Sequence, residues 1–170
     1  MPYANDNLKV SVRSSDADGD TVDYTYQWEI NGVISGAEKN EILEKGHFKK
    51  GDSIVVTATP NDGESLGTPK KSETIIISNG PPVIVSSPSN KADGNIYTYQ
   101  VKASDPDNDP IIFALKTAPK GMKIDKGTGF IRWEIQKGDQ GTPLIEIEVS
   151  DSEGAKSFQK YTLSIVLRGS

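Results

Sequence analysis

The sequence contains no cysteine and a single histidine, His47. Zinc sites are built from clusters of cysteine and histidine, so a site of that class is not expected, and disulfides cannot stabilise the chain. His47 stands beside Phe48 and among lysines, which is typical of an exposed turn, and nothing supports a Ser-His-Asp site built on it. Small domains without disulfides depend either on their cores alone or on bound metal as well.

Long apolar runs and basic clusters are also missing. No apolar run approaches the roughly 20 residues of a membrane-spanning helix, and no signal peptide begins the chain. The net charge is −5, and no cluster of lysine and arginine alternates with aromatic residues. We therefore expect neither nucleic-acid binding nor membrane insertion of this chain. Its two ends are those expected of a piece of a longer protein, whose neighbouring domains would be its first partners.

An internal repeat of 89 residues organises the sequence. An Asp-rich stretch that begins at Asp16 recurs at Asp105, and a turn at Asp62 recurs at Asp151 (105 − 16 and 151 − 62). Solenoid repeats run roughly 20–50 residues, so this spacing is that of whole domains. We predict two tandem domains, residues 1–79 and 80–170, joined by the short, stiff linker Asn79-Gly80-Pro81-Pro82.

Alternation of apolar and polar residues predicts β-strands in both copies. The clearest run, residues 21–30, places Tyr, Trp and Ile side chains on one face and ends at Asn31-Gly32, a dipeptide favoured in type I′ hairpins. Further strands are predicted at residues 8–14, 53–59 and 72–78, and then at 83–85, 96–104, 111–115, 129–133, 144–150 and 157–167. Many short strands and no helical periodicity predict an all-β chain of two β-sandwiches, each near the size of an immunoglobulin-type sandwich. The first copy either lacks its opening strand or forms it from Pro2–Ala4.

The Asp-rich turns are the candidate functional residues. Aspartates at alternating positions place several carboxylates on one side of a turn, and their repulsion costs free energy unless a cation lies among them. Calcium binds six to eight oxygen ligands of this kind. The sequence therefore predicts calcium ligands at Asp105, Asp107, Asp109 and Asp151 in the second copy, and at Asp16, Asp18, Asp20 and Asp62 in the first. The turns lack the Gly and Glu positions of an EF-hand, and the alternative is that they are metal-free Asx turns.

Several motifs carry a resemblance to known families. In the second copy they are Val101–Pro110, Ala118–Asp125, Gly127–Trp133 and Val149–Ala155. Through these stretches, which span nearly all of residues 81–167, it resembles a bacterial cadherin-like, or putative-immunoglobulin, domain. The first copy is similar, over about residues 5–80, to immunoglobulin-like repeats of large bacterial surface proteins, through Ser15–Asp20, Tyr26–Gly32, Lys50–Asp52 and Thr59–Gly63.

The resemblance implies a location and a ligand set. Such families are extracellular or cell-surface proteins, arranged in tandem as spacers or adhesion modules. In cadherins, an Asp-x-Asp loop and a later Asp share calcium near the junction with the preceding domain. Asp105 and Asp107 match the first element, and Asp151 matches the second. The linker lacks the acidic residues of a cadherin linker, and Trp133–Gln136 replaces a cadherin Leu-Asp-Arg-Glu stretch, which argues against a shared multi-ion junction and leaves one ion within the domain.

We therefore predict a non-catalytic structural or adhesion module, stiffened by calcium, from a larger bacterial surface or secreted protein. The alternative is a carbohydrate-binding module, which requires an exposed row of aromatic side chains, with Tyr97 and Tyr99 as candidates. Alternation places Trp28 and Trp133 in the cores instead. A catalytic role would require a cleft with two carboxylates, and no pair stands out. Either main hypothesis is compatible with a protein or glycan ligand.

Overall fold

The computed structural model describes residues 1–15, 19, 21–36, 40–92 and 94–165. The chain forms two compact units, Met1–Asn79 and Gly80–Ser170. Both are built from short β-strands, and each buries its own core. Among the described residues, no helix is long and apolar enough to span a membrane.

The described residues of the first unit form seven strands, β1 to β7. They are Leu8–Lys9, Asp23–Ile30, Val33–Ile34, Ile42–Leu43, Ser53–Asn61, Lys70–Lys71 and Ile75–Ile76. One sheet has the order β3-β2-β5, with β6 and β7 both paired to the other side of β5, and β1 pairs with β4. Alternation along β2 and β5 turns Trp28, Ile54 and Val56 inward, and Trp28 is only 2% exposed.

Two details of the first unit bear on the predictions from the sequence. Asn31 and Gly32 have φ values of 53° and 77°, as a type I′ hairpin requires of both central residues. The N-terminal residues pair with the end of the first unit, because Tyr3 forms a parallel bridge with Ser78 and the Ser78 N–H donates to Pro2 O at 2.9 Å. At the 89-residue offset this bridge corresponds to the pairing of Lys91–Ala92 near the end of the second domain's opening segment, so whether the first copy lacks its opening strand stays a prediction.

In the part of the second unit that the structure describes there are ten strands, β8 to β17. They are Val83–Ile84, Lys91–Ala92, Ile96–Gln100, Ala103–Ser104, Ile111–Thr117, Lys123–Ile124, Phe130–Glu134, Leu144–Asp151, Lys156–Thr162 and Ser164–Ile165. One layer holds β8 with β11 and the sheet β10-β14-β13. The other holds the sheet β12-β15-β16 and the parallel pair β9-β17. Between them, the side chains of Ile131, Trp133, Ile145 and Ile147 are almost completely buried.

The 89-residue repeat is visible in the strands. When 89 is added to the residue numbers, β1 falls within β10, β4 falls within β14, and β5 overlaps β15. In the same way β7 coincides with β17. Several predicted strands are broken in the structure. Residues 96–104 divide into β10 and β11, and residues 72–78 contain only the short β7. An alternating sequence specifies which face is apolar, whereas a ladder also needs a partner strand along its whole length.

Candidate metal centre

The loop between β11 and β12 is folded by the first of its three aspartates. Asp105 Oδ1 accepts the backbone N–H groups of Asp107 at 2.9 Å and of Asp109 at 3.2 Å. The Asn108 N–H donates to Asp105 O at 3.2 Å, and Asn108 adopts a φ of 62°, a left-handed conformation that Asn tolerates better than most residues. These bonds curl the loop around the Asp105 carboxylate.

This curl brings three carboxylates together. One carboxylate oxygen from each of Asp105, Asp107 and Asp109 lies within 4.8 Å of the other two. Two oxygens that bind the same calcium ion can be at most about 5.2 Å apart, twice the longest usual Ca–O distance. The spacing of the three oxygens is therefore compatible with a single ion, and backbone carbonyls and water would complete its coordination.

Two of the carboxylate oxygens are buried without a hydrogen-bond donor. Asp105 Oδ2 and Asp107 Oδ1 have no hydrogen-bond partner among the residues that the structure describes. Burying a carboxylate oxygen without a compensating bond is costly, and a second negative charge nearby adds to the cost. A cation would remove both costs, so these oxygens fit a metal ion better than they fit an ordinary Asx turn.

The other oxygen of Asp107 is held by the start of the domain. The Gly80 N–H donates to Asp107 Oδ2 at 2.8 Å. A Cβ atom on Gly80 would lie 2.7 Å from Pro106 Cγ, so a larger residue would displace the loop. Sequence reasoning missed this role because Gly80 stands before two prolines and was interpreted only as part of the linker.

Asp151 lies at the same end of the second domain. It is the last residue of β15 and pairs with Ile111, two residues after Asp109. Its side chain is 6% exposed, and Asp151 Oδ1 accepts the N–H groups of Glu153 and Ala155, both at 2.9 Å. Among the described residues, the group within 4.8 Å consists of Asp105, Asp107 and Asp109 and does not include Asp151. A role of Asp151 as a ligand stays a prediction.

The candidate site of the first copy is only partly described. Asp16, Asp18 and Asp20 lie outside the described residues. Asp62 Oδ1 accepts the N–H groups of Glu64 at 2.8 Å and Ser65 at 2.7 Å, and Oδ2 accepts the Ser65 hydroxyl at 3.1 Å. These bonds, with the Ser65 N–H first, lower the pKa of Asp62. Such bonding is that of an Asx turn, and a metal site in this copy stays a prediction.

The aromatic row expected of a carbohydrate-binding surface is not present at the predicted tyrosines. Tyr97 and Tyr99 are 3% and 8% exposed, because the register of β10 turns them into the core and leaves Ile96 outside. The Tyr97 hydroxyl donates to that of Tyr161 at 3.2 Å, and the Tyr99 hydroxyl donates to Gln159 Oε1 at 2.9 Å. These two rings are therefore not the exposed row that the carbohydrate-binding alternative requires, since alternation does not tell which face is buried when both carry large side chains.

A family comparison assigns the second unit. A family model described as a putative Ig domain matches residues 81–166. The comparison with curated proteins finds no match. Among solved structures, "PcdhgB3 EC1-4" is 16% identical with a TM-score of 0.46, over 95% of this chain and 46% of the other. Human CDH23 EC21-23 is 14% identical with a TM-score of 0.44, over 84% of this chain and 62% of the other.

A similarity of another kind covers only part of the chain. A structure titled as a putative alpha-galactosidase from Bacteroides fragilis is 18% identical with a TM-score of 0.41. The match covers 52% of this chain and 18% of that one. The chain thus spans less than a fifth of the length of that enzyme.

Proposed function

Because the chain belongs to the Putative Ig domain family, we propose that it is a non-catalytic, extracellular structural module of a longer bacterial surface or secreted protein. In this proposal the second domain binds one calcium ion through Asp105, Asp107 and Asp109. The ion stiffens the end at which the polypeptide enters the domain. Neighbouring domains of the longer protein are its first partners, and the module acts as a spacer or an adhesion unit.

One observation supports the calcium site above the others. In both Asp105 and Asp107, one carboxylate oxygen accepts backbone N–H groups, and the other is buried with no donor among the described residues. The hydrogen-bonded oxygens fix the direction of the carboxylates before any ion binds. Preorganised, mutually repelling oxygens are what a calcium site requires, because the ion then relieves repulsion and orders little additional chain.

Binding would connect three parts of the second domain. The ion would lie in the loop before β12 and would fix the Asp107 carboxylate. That carboxylate in turn holds Gly80 through the 2.8 Å hydrogen bond from the Gly80 N–H. Gly80 stands directly before Pro81 and Pro82, which already restrict the backbone. A bound ion would therefore limit motion in the first residues of the domain, which is the property that a spacer requires.

Thermal unfolding with calcium and with chelator tests the proposal. A ligand that binds only the folded state stabilises it by about 2.7 kcal/mol at a hundredfold excess over Kd. We expect calcium to raise the Tm of the second domain, and we expect the double variant Asp105→Ala/Asp107→Ala to abolish this rise.

Asp125→Ala is the matched control. Its carboxylate accepts bonds from Gly127 and Thr128 in another turn of the same domain, so the calcium-induced rise should persist in that variant. An unchanged Tm at millimolar calcium would reject the metal site while leaving the structural role in place. Equal loss of the rise in both variants would show that the effect is not specific to the three-aspartate loop.

A further inference from the structure

A groove runs along one side of the first domain. It has a volume of about 270 Å³ and lies between β1 and the stretch that leads into β7. Leu8, Val10, Ile54, Val56, Ser72 and Ile75 are among its lining residues, and Trp28 contributes to its floor. Among the described residues, β1 pairs with β4 on one side and with no strand on the other. The groove therefore combines apolar side chains with an unpaired strand edge.

The second domain shows what fills the equivalent place. There β8 pairs with β11, and the Val85 N–H donates to Lys102 O at 2.9 Å. The chain then crosses to the other layer, where Gln159 Nε2 donates to Ser86 O at 2.7 Å and the Ser164 N–H donates to Asn90 O at 2.8 Å. Ile84 packs against the core beneath this segment. Residues 83–90 thus close the side of the sandwich.

The side chains around the groove are smaller than their counterparts in the second domain. At the 89-residue offset, Leu8, Val10 and Ser72 stand where the second domain has Tyr97, Tyr99 and Tyr161. The three tyrosines fill that side of the core, and Tyr97 and Tyr161 also bond to each other. The smaller residues leave space, which forfeits contacts with the surrounding atoms.

The pairing already present in the first domain points to the occupant. Tyr3 bridges Ser78 in parallel, as β9 pairs with β17 in the second domain. Tyr3 corresponds to Ala92, so this pairing matches only the last residues of the segment 83–92 in the second domain. The groove lies where the earlier residues of that segment would run. We infer that the groove accepts one extended polypeptide strand with the chemistry of Val83–Ser89. Such a strand has an aliphatic residue directed inward and then a Ser-Pro crossing. It would pair with residues 13–15, the counterparts of residues 102–104, which is β-strand addition.

An N-terminal extension of the full chain tests this inference. A copy of Val83–Ser89 placed directly before Met1 keeps the 89-residue offset, since Asn90 corresponds to Met1 (90 − 89). We expect the Tm of the first domain to rise by about 4 °C or more. We also expect slower amide hydrogen exchange at Arg13, Ser14 and Ser15, the counterparts of the residues that β8 contacts. The matched control carries the same extension with serine in place of the copied Ile84, and it should lose most of the rise.

The outcomes separate the inference from its competitors. Equal Tm values for the two extensions, or slowed exchange elsewhere than residues 11–15, would overturn the strand-acceptor assignment. A rise in Tm that depends on protein concentration, together with a dimer on size-exclusion chromatography, would assign the groove to a second copy and would also overturn it. A concentration-independent rise that the serine control lacks would support it.

Discussion

Replacing Asp107 with asparagine should have opposite effects with and without calcium. Charges separated by the 4.8 Å that encloses the carboxylate cluster repel by about 3.5 kcal/mol at an effective dielectric constant of about 20, and by about 1 kcal/mol in water. Asp107 faces two such partners, Asp105 and Asp109. Asp107→Asn removes its charge, and its amide oxygen can still accept the Gly80 N–H. With chelator present, we therefore expect the free energy of unfolding of the variant to be about 1–3 kcal/mol higher than that of the natural protein.

With calcium, the stability advantage of the variant over the natural protein should disappear or reverse. At a hundredfold excess over Kd, the natural protein gains about 2.7 kcal/mol, which corresponds to a rise in Tm of roughly 10–20 °C for a domain of this size. The variant, with one ligand charge removed, should gain almost nothing. Differential scanning calorimetry with calcium and with chelator measures both differences. Asp125→Asn is the control, and it should change Tm equally in the two conditions.

One result would refute this reasoning. If Asp107→Asn lowered Tm with chelator and still showed the full calcium-induced rise, the three carboxylates would neither repel appreciably nor bind the ion. The loop would then be an Asx turn, and the buried oxygens of Asp105 and Asp107 would require another explanation.

Three further predictions concern other features of the two domains. Gly80→Ala places a Cβ 2.7 Å from Pro106 Cγ, so it should lower the free energy of unfolding by about 1–3 kcal/mol and weaken calcium binding. Calorimetry and calcium titration measure the two effects. Gly138→Ala is the control, because its Cβ meets open space, and it should have neither effect. Burial raises the pKa of Tyr161, so the contribution of this residue to stability is complete below pH 10 and is lost as the pH rises further. Tyr161→Phe should therefore reduce the loss of folded structure at alkaline pH, measured by circular dichroism. Because the pKa of Asp62 is lowered in the folded state, its contribution to stability is present above pH 4 and is lost as the pH falls through the lowered value. Asp62→Asn should therefore reduce the difference in stability of the first domain between pH 6 and pH 3, measured by unfolding at both pH values. An unchanged difference would contradict the role of the Ser65 bonds.

Some of the site could be predicted from the sequence because it is local. Asp105, Asp107 and Asp109 stand at alternating positions in one loop, so hydrogen bonds within that loop bring their carboxylates close. Gly80 could not be found in this way, because it lies 27 residues from Asp107 along the chain and only the packing of the two segments brings its N–H to the carboxylate. The burial of Asp105 Oδ2 and Asp107 Oδ1 is likewise a property of the folded loop.

The fold divides in the same manner. The alternation of residues 21–30, the Asn31-Gly32 turn and the 89-residue repeat determined the all-β class, one hairpin and the correspondence of the two copies, because each depends on neighbouring residues or on internal similarity. Tertiary structure decided which face of β10 is buried, and it therefore placed Tyr97 and Tyr99 in the core. It also decided that β1 ends after two residues, since a strand extends only as far as a partner pairs with it. Local sequence specifies the pattern of a strand, but only the assembled sandwich specifies its partners.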